Sequence, residues 1–142
     1  MCIAFTMGLA VLLGAASSVK AQPPGPPPSA AKLRYWAGGD CINAGKYVGF
    51  DYARALERAI QKEPSGLAEL FRFTDTAGFD GAAGEGHVQI LFGLLQRWGD
   101  RRFARVLRAQ SSHIREIIVF EFGSAFPDQR SQFPKTYSLA PH

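Results

Sequence analysis

Between His87 and Phe122 three stretches of helical periodicity follow one another with only two-residue breaks, and no other feature restricts the fold of this chain as strongly. Val88, Leu91, Phe92, Leu95 and Trp98 step by three, one, three and three, and Ile90 and Leu94 widen the stripe beyond half the circumference, as in a central helix. Gly99 ends that stretch. Phe103, Val106, Leu107 and Gln110 then oppose Arg101, Arg102, Arg105 and Arg108, with Asp100 in the N-cap position. Ser111 or Ser112 caps a third stretch, in which Ile114, Ile117, Ile118 and Phe122 keep helical spacing although the run Ile117-Ile118-Val119 also suits a strand. The frame predicts similar helices stacked side by side.

Upstream, Tyr52, Leu56, Ala59 and Ile60 define another amphipathic helix, capped by Asp51 and ended by Pro64. Ser65 is placed to cap a short helix carrying Leu67, Leu70, Phe71 and Phe73. Residues 74–86, TDTAGFDGAAGEG, read as a long loop, because four glycines break any periodicity. Residues 30–49 hold Tyr35, Trp36 and Tyr47 between Gly38, Gly39, Gly45 and Gly49, which predicts irregular structure or one short helix with its aromatics on the domain. Pro127, Pro134 and Pro141 make residues 124–142 an extended tail, wrapped over the domain by Phe126, Phe133 and Tyr137. The fold class is therefore all-α: a small irregular bundle or short stack of about four to five helices between extended N- and C-terminal segments.

The 142 residues allow one ordinary domain. Ile3 to Ala16 is apolar except for Thr6, and Val19 and Ala21 stand as the small-residue pair of a cleavage site, so residues 1–21 read as a secretory signal peptide and the protein as exported, periplasmic or secreted. The run is shorter than a spanning helix, so no transmembrane segment is expected after cleavage. Residues 22–34 form a proline-rich leader, residues 35–123 the helical domain and residues 124–142 the tail. Cleavage removes Lys20 and leaves 121 residues with 15 basic against 12 acidic side chains, a formal charge of +3. That is too mild for a dedicated nucleic-acid binder. Cys2 departs with the signal, and Cys41 alone cannot form an intramolecular disulfide.

The sequence of a helix, the Gly99-Asp100 turn, a second helix, the Ser111-Ser112 turn and a third helix opening Ile114-Arg115-Glu116 resembles the helix pairs of HEAT-type α-helical repeats over residues 87–122. Arg115 and Asp100 match the helix-start arginine and turn aspartate of such repeats. The resemblance implies that these two residues hold adjacent helices together, and that a concave face binds protein partners.

Chemistry is sparsely marked. Cys41 reads as a buried small hydrophobe, an intermolecular disulfide partner or a nucleophile. His87 and His113 each stand one residue before the first apolar position of a helix, a place where an imidazole meets backbone or solvent, and neither HExxH nor paired cysteines occur, so no metal and no cofactor are expected. The glycines of GAAGEGH, residues 81–87, follow a helix rather than a strand and lack the P-loop lysine. Gly123-Ser124-Ala125-Phe126 lacks the second glycine of a serine-nucleophile turn. Arg101, Arg105 and Arg108 fall at i, i+4 and i+7 and project together, either as a solvated face or as a binding row for an acidic protein or an anionic surface. These readings lead to a non-catalytic protein-binding or structural module. The alternative is a small hydrolase or redox enzyme using Cys41 or the loop around His87.

Overall fold

Seven α-helices and one 3₁₀ turn make up residues 25–76 and 81–140, the part of the chain that the computed structural model describes, and no strand occurs among them. The signal peptide expected over 1–21 and the first residues of the leader lie outside the described residues. The helices are α1 (Ala30–Tyr47), α2 (Tyr52–Ile60), α3 (Pro64–Thr76), α4 (Gly81–Trp98), α5 (Asp100–Arg108), α6 (Ser112–Ala125) and, after the 3₁₀ turn Pro127–Gln129, α7 (Pro134–Tyr137). The all-α expectation holds. The count of four to five helices is corrected to seven, and the two additions lie where irregular or extended chain was expected.

The first addition is α1. Ser29 caps it by accepting the Lys32 amide at 3.1 Å, and Leu33, Ala37, Cys41 and Gly45 recur every fourth residue as its buried line. Its glycines leave it helical apart from a kink at Gly38 (φ 33°, ψ −153°), because packing against α2 and α4 outweighs their poor propensity. The leader thus gives way to helix at Ala30 rather than after residue 34, and Arg97 of α4 holds it by donating from Nη1 to the Pro28 carbonyl at 3.0 Å.

Asp51 caps α2 as its position predicts, accepting the Arg54 amide at 3.0 Å, and Tyr52, Leu56, Ala59 and Ile60 are buried. Helix α3 is not short: it begins at Pro64 and runs for 13 residues. Ser65 consequently lies within its first turn and accepts from the Arg58 guanidinium, which also pairs with Glu63 and Glu69 and so ties α2 to α3. Gly66 lets the two helices touch, since a Cβ there would stand 2.5 Å from Arg58 Cβ and 2.7 Å from the Ala59 nitrogen.

Helix α4 is the axis of the core. Ile90, Leu91, Leu94 and Leu95 are fully enclosed, and Trp98 donates from Nε1 to the Ala59 carbonyl at 2.9 Å, anchoring α4 to α2. The glycine-rich segment 81–86, expected as part of an interhelical loop, forms the first turns of this helix. Helix α6 is helical despite its β-branched run, and Ser111 caps it through the Ile114 amide at 3.2 Å.

The tail is the second addition. Phe126 stacks on Phe92 with ring centroids 3.9 Å apart, Phe133 meets the same ring edge-on at 5.7 Å, and the Tyr137 hydroxyl lies 3.1 Å from the carbonyls of Phe122 and Phe126. The segment is thus turned and helical rather than extended, and it adds Phe133, Thr136 and Tyr137 to the core. Among the described residues no helix is long and apolar enough to cross a membrane.

Candidate functional site

The arginine row is built by α5 and completed by α7. Gly99, at φ 77°, turns the chain between α4 and α5, and Phe103, Ala104 and Leu107 bury one face of α5, which leaves Arg101, Arg105 and Arg108 exposed on the other. Asp100 does not cap α5: Gly99 occupies the N-cap, and Asp100 is the first helical residue. Its carboxylate instead accepts the backbone amides of Lys135 and Thr136, each at 2.8 Å. That clamp fixes the start of α7 against α5 and brings Lys135 to the row. Arg101, Ala104, Arg105, Arg108 and Lys135 then line a groove of about 380 Å³, and among the described residues no carboxylate stands in its walls. Among the described residues none of these four cations has an ion-pair partner, whereas Arg34 pairs with Glu57, Arg58 with two glutamates and His113 with Asp75. Like charges one helical turn apart repel, at a cost of about 0.2–0.5 kcal/mol per pair, and a bound anion relieves that repulsion.

Cys41 and His87 meet through an intermediary. The Tyr52 hydroxyl lies 2.8 Å from His87 Nδ1, and the nearby Cys41 thiol acts on it electrostatically. His87 Nε2 lies 2.9 Å from Thr74 Oγ1, which donates to the Leu70 carbonyl at 3.3 Å. Both ring nitrogens therefore have a hydroxyl partner, an arrangement that suits a neutral imidazole. His87 is buried rather than facing solvent, and burial lowers its pKa from 6.5 to about 3. Desolvation likewise raises the Cys41 thiol and raises the Tyr52 phenol well above its ordinary value. Cys41 Sγ also lies 3.6 Å from the Ala83 carbonyl, and a Cβ on Gly86 would stand 3.2 Å from the sulfur. This arrangement satisfies buried polar groups. It holds the thiol and the imidazole in the uncharged forms that a nucleophile–base pair has to leave.

Beside His87 a second hollow opens between α3, α4 and α6. It has a volume of about 440 Å³, with Thr74 and His87 in its walls, Val88, Ile117, Ala125 and Phe126 as its apolar surface, and Glu85 and Glu121 as its charged groups. Sequence reasoning missed this cleft, because the glycine-rich turns of α4 that form one wall read as loop. Lys135 was missed for a related reason, although Pro134 at the first helical position is itself a helix-start signal. Among the described residues no three His, Cys, Asp or Glu side chains converge as a metal site.

No family model matches the chain, and no curated protein or solved structure matches it either.

Proposed function

We propose that this chain is an exported, non-catalytic binding module whose α5–α7 face docks an acidic protein. The observation that carries the reading is the groove of four cations without ion-pair partners among the described residues, drawn from two helices that Asp100 clamps together. A merely solvated row needs no such clamp, and three arginines on one helix already keep that surface wet. Within the bundle, Arg115 donates from Nη1 to the carbonyls of Arg108 and Gln110, each at 3.1 Å, which supports reading α5 and α6 as a HEAT-like pair. Export rests on the apolar run Ile3 to Ala16 and the Val19 and Ala21 pair that follows it.

The test uses a defined acidic polymer. Poly-glutamate at low salt should bind the wild-type chain, lose affinity steeply as salt rises, and fail to bind a chain carrying Arg101→Glu, Arg105→Glu and Arg108→Glu. Equal binding by both chains overturns the proposal. Binding to anionic lipid vesicles without binding to poly-glutamate replaces the acidic protein by a membrane surface. Recovery of an exported chain beginning at Gln22 supports cleavage, and a chain retained in the cytoplasm with Met1 in place refutes it.

A further inference from the structure

The cleft beside His87 has a chemistry opposite to that of the basic groove. Its volume of about 440 Å³ falls in the range of small-molecule sites, roughly 300–1,000 Å³. Its walls are two helical stripes. On α4, Gly81, Gly84, Glu85 and Val88 recur at helical spacing, and the two glycines leave room between the side chains of that wall. On α6, Ile117, Glu121, Ser124 and Ala125 do the same, and Phe126 follows where the helix ends. Val88, Ile117 and Phe126 are half-buried, so each keeps apolar surface open to the cleft.

The polar groups narrow the choice of ligand. His87 engages both ring nitrogens with Tyr52 and Thr74, so it adds neither charge nor a vacant acceptor to the floor. Among the described residues no lysine or arginine lines the cleft. Glu85 and Glu121 supply its formal charge, and among the described residues neither has an ion-pair partner. We propose that the cleft binds a small amphipathic organic cation, a protonated amine held by Glu85 and Glu121 with its apolar body against Val88, Ile117 and Phe126. The chain as a whole carries a charge of +4 and repels cations at long range, so saturable uptake of an amine reports this local site rather than the general field.

The probe is 2-phenylethylammonium, titrated into the full chain by calorimetry at neutral pH, beside 3-phenylpropionate, which has a similar body and the opposite charge. Saturable binding of the amine and none of the carboxylate is the expected result. Glu85→Gln and Glu121→Gln should each weaken the amine by about three- to fivefold, the range for partly exposed ion pairs. Ser124→Trp, which fills the cleft while leaving both carboxylates, should abolish binding. Both glutamates lie outside the buried core, so the Gln variants keep the helical circular dichroism that certifies their fold. No saturable amine binding by the wild type, equal binding of 3-phenylpropionate, or unchanged affinity in all three variants overturns the proposal. Poly-glutamate binding by α5 and α7 is read separately, so each site stands or falls alone.

Discussion

Lowering the pH tests the buried imidazole directly. In the unfolded chain His87 takes up a proton with a pKa of 6.5, whereas in the folded chain burial holds that value at about 3. Between those values the unfolded state binds a proton that the folded state refuses, so the free energy of unfolding falls as the pH falls. The stability that His87 contributes is complete above about pH 6.5 and is lost progressively toward pH 3. One pKa unit corresponds to about 1.4 kcal/mol, so going from about pH 7 to about pH 5 costs about 2 kcal/mol, before most carboxylates titrate. The assay is urea unfolding of wild type and His87→Gln across that window. Wild type should lose about 2 kcal/mol more than the variant, whose amide cannot titrate. His113 and the acidic groups are common to both proteins and cancel in the difference. Parallel curves refute the reasoning, as does an NMR titration in which the His87 ring protonates near its ordinary value.

Gly66→Ala should destabilise the fold by about 1–3 kcal/mol in thermal unfolding, although alanine is ordinarily the better helix former, because the added methyl meets α2 backbone. Asp100→Ala should cost about 1–2 kcal/mol and speed hydrogen exchange at the Lys135 and Thr136 amides. The same change should weaken poly-glutamate binding, since Lys135 is then free to leave the row. In a chain carrying Cys2→Ser, Cys41 should react with a thiol reagent about 100-fold more slowly when folded than in denaturant, because both burial and a raised pKa withhold the thiolate.

The helices that read most clearly in the sequence are those whose buried faces are made of large apolar residues. Tyr52, Leu56, Ala59 and Ile60, and the line from Val88 to Trp98, announce their period through side chains that bury enough area to fix the helix. Helix α1 was hidden because its buried line is Leu33, Ala37, Cys41 and Gly45, small residues that allow close approach and carry little hydropathy signal. The start of α4 was hidden in the same way by Gly81, Gly84 and Gly86, of which Gly86 lies against α1, where a Cβ would stand 3.2 Å from Cys41 Sγ. The arginine row was legible because helical spacing alone puts Arg101, Arg105 and Arg108 on one side. Its fourth cation was not, because Lys135 reaches the row through a hydrogen bond spanning 35 residues. Pairing of that kind leaves no local periodicity. His87 was misplaced for the converse reason: its partners Tyr52 and Thr74 are 35 and 13 residues away, and only the assembled helices bring them to both nitrogens.

The docking of residues 126–137 makes two distant features depend on one segment. Phe92 and Phe122 lie in α4 and α6, and the rings against them, Phe126 and Phe133, and the hydroxyl that ties Tyr137 to α6, follow later in the chain. Asp100 likewise waits for the amides of Lys135 and Thr136. Until residues 126–137 have been synthesised, the rings of Phe92 and Phe122 lack these aromatic neighbours. The same stretch brings Lys135 to the arginine row, so aromatic cover and cationic groove depend on one piece of chain.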